Sequence, residues 1–180
     1  RTLDGHYVAI HDADTGRVAR QKLNVGQSTL ADLRDVCLND IAEGEPRGDL
    51  RIPTLQEYAR ACKRYGKVSV LELKDDFTRA QLEEIIAILR AEGQLENVVF
   101  IAFALENLLR LREILPEQPA QYLVSRMEEG VEQALLAHGL DLDAHGRKVN
   151  CWTVDAPEEA QRLVAMGVDY ITSNILEGDD

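Results

Sequence analysis

Short apolar segments alternate along this chain with longer segments in which apolar residues recur every three or four positions. The short segments are rich in β-branched residues, and we predict that they are strands. We predict six strands, in the segments 7–12, 67–74, 97–103, 121–125, 149–154 and 168–174. Each is nearly continuously apolar, which is typical of a sheet that is covered on both faces.

The longer segments carry the start signals of helices. Thr54 and Glu57, like Thr78 and Gln81, have the capping-box spacing. We predict helices within the segments 51–66, 78–93, 106–116, 127–139 and 155–167. The second of these helices is expected to bury one face, formed by Leu82, Ile85, Ile86 and Leu89.

Strands that alternate with single helices predict parallel strands joined by crossover helices. Two α/β architectures have this pattern, a doubly wound open sheet and a (β/α)8 barrel. No glycine-rich phosphate loop follows a predicted strand, which counts against the nucleotide-binding open sheets. A barrel needs eight strands, two more than we predict. We expect residues 1–180 to form a single domain.

Charge and composition narrow the classes of partner. Of 180 residues, 20 are basic and 32 acidic, and the net charge of −12 argues against a nucleic-acid partner. A small phosphate substrate is compatible with this charge, because it needs only a local cation. No apolar run approaches the roughly 20 residues that a membrane-spanning helix requires. The three cysteines form no CxxC pair, so we expect reduced thiols and a cytoplasmic location.

Polar side chains collect at the ends of the predicted strands, where α/β proteins place their chemistry. The first strand ends on His11 and Asp12, and the second carries Glu72 and Lys74. Because residues two apart share one face of a strand, Glu72 and Lys74 are expected to point together into the barrel. The fifth strand carries Trp152. We therefore expect an imidazole, a carboxylate, an ammonium and an indole to converge on one opening.

Each of these residues also has a purely structural interpretation. Glu72 and Lys74 have the spacing of an ion pair that only fills the barrel. His11 alone is compatible with a hydrogen-bonded structural histidine, and Trp152 alone with a core residue. The functional interpretation gains weight because a buried carboxylate and ammonium are costly unless a cation and a phosphate offset their charges.

Five stretches resemble segments of a known family, in the same order along the chain. They are TLDGHYVAIHD, RIPTLQEY, VLELK, FIAF and VNCWTVDAPEEAQRLVAMGVDYITSN. Together they resemble the glycerophosphodiester phosphodiesterases, in which one apolar strand ends in a His-Asp pair and another in Glu-x-Lys. The resemblance implies a TIM barrel of the phosphodiesterase type, with six of its eight strands in this sequence.

The resemblance also implies an activity, the metal-dependent hydrolysis of glycerophosphodiesters to glycerol 3-phosphate and an alcohol, and with it a role in lipid and glycerol metabolism. It implies that His11 is a general acid and that Glu72 is a ligand of a divalent cation, Mg²⁺ or Ca²⁺. Lys74 would contact the phosphate, Trp152 would pack against the glycerol moiety and Phe103 would line the pocket. The alternative is a catalytically silent barrel that serves as a binding or assembly module.

Two features of the family are not found in this sequence. They are a strand that ends in His-Arg-Gly and a following Glu-x-Asp or Glu-x-Glu pair, which supply the second catalytic histidine and the remaining metal ligands. The sequence also has Ala102 where the family usually has serine. Three explanations are open: residues that the sequence omits, a partner that supplies the opening strands, or a relative that has lost catalysis.

Overall fold

The computed structural model describes residues 1–40, 44–123, 150–151, 156–165 and 170–171. Its helices are α1 (Leu30–Asp35), α2 (Leu55–Arg64), α3 (Arg79–Ala91), α4 (Leu105–Ile114) and α5 (Pro157–Ala165). Its strands are β1 (Ser69–Glu72), β2 (Val98–Ala102), β3 (Ala120–Tyr122), β4 (Asn150–Cys151) and β5 (Tyr170–Ile171). Short 3₁₀ turns lie at Val25–Gln27 and Leu95–Asn97.

The strands pair in parallel, as their alternation with helices predicts. β1, β2 and β3 form a three-stranded sheet in that order, and β4 pairs with β5. β2 and β3 are parallel, with Phe100 opposite Ala120, and so are β4 and β5. The Leu73 N–H donates to the Ile101 carbonyl at 2.8 Å. Because this bond joins the ends of β1 and β2, these two strands also run in the same direction.

The chain divides into two compact units. The first contains Arg1–Leu71 and Asp75–Val99, and the second contains Glu72–Lys74 and Phe100–Asp180. In the first unit α3 packs on α2 and buries the four residues predicted for its inner face, all no more than 3% exposed: Leu82, Ile85, Ile86 and Leu89. In the second unit the residues with no exposed surface include Phe100, Leu108, Leu111 and Ala120. The single-domain organisation stays a prediction.

The predicted helix starts are confirmed by reciprocal caps. Thr54 Oγ1 accepts from the Glu57 N–H at 3.2 Å, and the Glu57 carboxylate accepts from the Thr54 N–H at 2.9 Å. Thr78 and Gln81 close the same box at the start of α3. Shortly after α3 the chain reaches Gly93, whose φ of 67° is one that residues with a Cβ rarely adopt. These signals are local in sequence, which is why they are readable without the fold.

The predicted strand at 7–12 is wrong. In this segment Val8 alone forms a β-bridge, an antiparallel one with Thr54. Beside the bridge, the Ala9 N–H donates to the Pro53 carbonyl at 2.9 Å. The pairing does not extend further, because Pro53 has no N–H to donate and Thr54 already caps α2.

Other predictions are confirmed where the structure describes the residues. The strands predicted at 67–74, 97–103 and 121–125 correspond to β1, β2 and β3, and the helix predicted at 106–116 corresponds to α4. The described parts of the last two predicted strands are β4 and β5, and α5 lies within the last predicted helix. The helix predicted at 127–139 lies outside the described residues. Over the part of the chain that is described, none of the helices combines the length and the apolar character needed to cross a bilayer.

Candidate active site

The segment that leads to His11 is anchored by an aromatic residue. Tyr7 is 7% exposed, its ring centroid lies 6.0 Å from that of Phe77, and its hydroxyl donates to the Glu84 carboxylate at 2.6 Å. Burial, with Glu84 alongside, raises the pKa of Tyr7 to about 12, so the hydroxyl remains a donor at neutral pH. Beyond the Val8 bridge the chain bends at His11, whose side chain is 70% exposed. A fixed stem therefore presents an accessible imidazole.

The imidazole of His11 is held through one nitrogen. His11 Nδ1 lies 2.7 Å from Asp12 Oδ1, and Arg17 Nε donates to Asp12 Oδ2 at 2.6 Å. A carboxylate on Nδ1 fixes the orientation of the ring and directs Nε2 towards a ligand.

The carboxylate of Asp12 is itself held in its charged form. Its pKa is lowered from 3.8 to about 2, chiefly by the hydrogen bond from Arg17 and then by that from His11. Asp12 therefore remains an anion, able to support His11, over the whole neutral range. Arg17 is not among the site residues predicted from the sequence. Only a weak sequence signal points to it, namely an arginine five residues after Asp12. A turn lies between the two residues, and in this turn Asp14 accepts from the Gly16 N–H at 2.8 Å.

Glu72 and Lys74 point to the same face of β1 and its extension, as the strand alternation predicts. Ser69 and Leu73 are buried, at 0% and 3% exposure, whereas Val70 on the opposite face is 46% exposed. Lys74 Nζ lies 3.4 Å from Glu72 Oε1. The ion pair for which these two residues have the spacing is therefore present.

This ion pair is accessible rather than deeply buried. The side chain of Lys74 is 38% exposed and that of Glu72 is 21% exposed. At this exposure the pair contributes little to stability, so a more strongly charged anion can compete with the carboxylate for the ammonium. The arrangement is suited to binding a phosphate through Lys74, and that role stays a prediction.

The remaining predicted site residues are placed only in part. Phe103 directly follows β2 and is 49% exposed, which is compatible with lining a pocket. Trp152 lies outside the described residues. His11 belongs to the first compact unit, and Glu72, Lys74 and Phe103 belong to the second. The convergence of all these groups on one opening stays a prediction.

The described residues do not by themselves fit a divalent-cation site. Mg²⁺ and Ca²⁺ take several oxygen ligands, usually more than one of them from carboxylates. Among residues that the structure describes, no cluster of three or more histidine, cysteine, aspartate or glutamate side chains is placed to hold a metal. Among these residues Glu72 is thus a single potential ligand.

Parallel strands joined by helices define an α/β protein, and polar groups follow the ends of its strands. A crystal structure of a Parabacteroides distasonis glycerophosphodiester phosphodiesterase matches 97% of this chain and 76% of its own, with a TM-score of 0.77 and 23% identity. An Oleispira antarctica phosphodiesterase, solved with the product sn-glycerol-3-phosphate, matches 96% of this chain and 77% of its own, with a TM-score of 0.80 and 23% identity. The (β/α)8 barrel of the phosphodiesterase type is thereby confirmed as the fold class.

The sequence comparison agrees with the structural one. No family model matches the chain. A curated glycerophosphodiester phosphodiesterase of Arabidopsis thaliana is 25% identical over an alignment of 199 positions, and this alignment covers 97% of the present chain. The chain spans 59% of the length of that relative. The resemblance to the glycerophosphodiester phosphodiesterases is therefore confirmed over nearly the whole chain.

Proposed function

We propose that the protein hydrolyses glycerophosphodiesters to glycerol 3-phosphate and an alcohol. The observation that carries the proposal is the exposed His11 imidazole, held at Nδ1 by an aspartate 2.7 Å away that an arginine keeps ionised. A merely structural histidine would use its ring to tie buried groups together, whereas this ring is supported on one side and open on the other. The phosphodiesterase fold and the product-bound Oleispira relative favour a phosphate diester as substrate.

In the proposed reaction His11 protonates the leaving group. Water attacks phosphorus and releases a proton to the solvent, and the bond from phosphorus to the alcohol oxygen breaks. If a neighbouring hydroxyl of the substrate attacks first, the alcohol leaves in the same way, and water then opens the resulting cyclic phosphate to glycerol 3-phosphate. The proton on Nε2 of His11 passes to the alcohol oxygen, so the alcohol leaves as a neutral molecule. Asp12 holds the ring in place through Nδ1 during the transfer, and Arg17 keeps Asp12 charged.

The ion pair would supply the phosphate contact. Lys74 offers a mobile ammonium with up to three donors, which can turn from Glu72 to the non-bridging phosphate oxygens. These oxygens gain charge as phosphorus is attacked, so the ammonium stabilises the transition state more than the bound substrate. Phe103 and Trp152 are proposed to line the pocket around the glycerol moiety.

A divalent cation, Mg²⁺ or Ca²⁺, is part of the proposal, with Glu72 as one of its ligands. When bound, such an ion would polarise the phosphoryl oxygens. Its remaining ligands would have to come from residues outside the described ones or from the substrate. Chelator treatment is expected to abolish the cleavage of glycerophosphocholine, and added Mg²⁺ or Ca²⁺ is expected to restore it. Full activity after exhaustive chelation would contradict this part.

The deciding experiment compares two histidines of the same N-terminal segment. Purified protein with His11→Ala is expected to lose cleavage of glycerophosphocholine by at least about a hundredfold, the lower range for a general acid. His6→Ala is the matched control, because the His6 side chain is also more than half exposed and is also beside an aspartate. Its Nε2 lies 3.9 Å from Asp4 Oδ2, which is longer than a hydrogen bond. It is expected to retain activity. Wild-type activity in the His11→Ala protein would refute the proposal, and the absence of turnover in the wild type would favour the silent barrel.

A further inference from the structure

A buried amide touches the backbone between the two charged residues of the ion pair. Asn107 lies in the first turn of α4 and has no exposed surface. Its Nδ2 donates to the carbonyl oxygen of Leu73 at 3.4 Å, a long hydrogen bond. All these residues belong to the second compact unit. We infer that Asn107 is a positioning residue, which fixes the Glu72–Lys74 segment so that Lys74 can bind phosphate; this inference rests on the proposed function.

The segment needs such support because it lies at the end of the strand. β1 ends at Glu72, one residue before Leu73. The Leu73 N–H still donates to Ile101 of β2 at 2.8 Å, and the Leu73 side chain is buried. Asn107 adds a bond on the carbonyl side, so the peptide groups on both sides of the Leu73 Cα atom are held. Because Glu72 and Lys74 flank Leu73, a shift of this backbone moves both charged side chains.

The choice of residue type supports a specific role. A fully buried helix position is usually filled by an aliphatic residue, and its neighbours Leu108 and Leu111 follow that rule. Burying an amide requires compensation, since an unsatisfied buried polar group costs roughly 1–3 kcal/mol. An aliphatic side chain would fill the same space without that requirement. What Asn107 provides, and a leucine cannot, is a donor directed at the backbone of the Glu-x-Lys segment.

The test replaces the donor and compares the result with an equally buried control. Asn107→Leu keeps the branched arrangement of four side-chain heavy atoms and removes the amide, and Asn107→Asp keeps the shape but replaces the donor by a carboxylate oxygen. Leu108→Ala is the control, because Leu108 has no exposed surface on the same helix and its loss destabilises without removing a polar contact. Three quantities are measured in the full-length protein: the thermal midpoint, the amide hydrogen exchange of Lys74, and the inhibition constant of glycerol 3-phosphate.

Both Asn107 variants are expected to raise the inhibition constant about tenfold, the size typical when a support of a binding group is removed. They should also accelerate exchange at Lys74, whereas Leu108→Ala should lower the thermal midpoint and leave both other quantities near wild type. Unchanged exchange and inhibition in folded Asn107 variants would overturn the inference. If the wild type neither cleaves glycerophosphodiesters nor binds glycerol 3-phosphate, the proposed function fails, and the exchange comparison still decides whether Asn107 holds the segment.

Discussion

The support that Arg17 gives to Asp12 leads to a measurable change of pKa. Arg17→Gln keeps a long polar side chain and removes the positive charge. In the wild type the pKa of Asp12 lies at about 2 instead of 3.8, a lowering of roughly two units, with Arg17 as the largest cause and His11 as the second. Removing the donor that lowers it most should therefore raise the pKa of Asp12 from about 2 towards 3.8. The direction follows because a cation nearby stabilises the carboxylate form.

The sign of the pH dependence is fixed by the same numbers. A carboxyl group whose pKa is lowered on folding contributes stability above its ordinary pKa, and this contribution is lost as the pH falls through the folded value. For Asp12 this loss of stability takes place between pH 3.8 and about pH 2. In Arg17→Gln the carboxyl group takes up its proton at higher pH. The pH range over which Asp12 contributes a changing stability therefore becomes smaller, because its lower limit rises. The Asp12 contribution to stability at neutral pH is correspondingly smaller in the variant.

The assay is a ¹³C NMR titration of the Asp12 carboxyl carbon between pH 1.5 and 6 or so, limited at its acid end by unfolding. Arg20→Gln is the matched control, since Arg20 is an equally exposed arginine of the same segment whose partner is Glu45. Its titration curve should overlie that of the wild type. In parallel, Arg17→Gln should lower kcat for glycerophosphocholine by about tenfold with little change in KM, because Arg17 acts through the proton donor. An unchanged Asp12 titration in Arg17→Gln would refute this reasoning.

Two further predictions concern stability, and urea unfolding measures both. Gly93→Ala should lower the free energy of unfolding by about 1 kcal/mol or more, because φ at this position is 67° and the new Cβ would lie 2.6 Å from Lys63 Nζ. Gly48→Ala is the control, since a Cβ there meets no atom within 4 Å, and it should leave the free energy of unfolding nearly unchanged. Equal losses at the two glycines would contradict the conformational argument. Leu89→Ala removes a side chain with no exposed surface and should cost about 2–5 kcal/mol, while Leu3→Ala, at a position that is 64% exposed, should change the unfolding free energy by less than about 0.5 kcal/mol. A small loss at Leu89 would show that α3 is not part of the folded core.

The helices could be predicted because their determinants lie within a few residues of each other. The capping box of Thr54 and Glu57 and that of Thr78 and Gln81 are complete in sequence, and both form. The inner face of α3 follows from apolar spacing alone, since one stripe of a helix must be buried. The alternation at β1 was equally readable, because successive side chains of a strand point to opposite faces. For these elements the local pattern and the tertiary packing demand the same structure.

The segment at 7–12 shows where such reasoning ends. Its apolar run satisfies the local pattern of a strand, but a strand also needs a continuous partner. The partner here is the backbone around Pro53, which gives the Pro53 carbonyl to Ala9 and the Leu55 N–H to Tyr7. The pairing stops there, because Pro53 has no N–H and α2 begins at Leu55. That limit comes from a residue more than 40 positions away and cannot be seen within the run itself. The helix α1 was not predicted, for a different reason. Thr29 and Asp32 form a capping box that is visible in the sequence, but the helix has only six residues and is too short for a clear apolar period.

His11 and Lys74 both lie just beyond the point where backbone pairing of their segment ends. His11 follows the last backbone bond of its short bridge, and Lys74 follows the end of β1. At such points the backbone ladder no longer fixes the chain, so a side chain can face a ligand but needs another means of support. In each case a polar side chain supplies it, Arg17 through Asp12 for the imidazole and Asn107 through Leu73 for the ammonium. An apolar run that ends in polar residues is visible in sequence, and so His11 and Lys74 could be proposed as chemical groups. Their supports depend on which turn or helix returns to that point, and this became visible only in the fold.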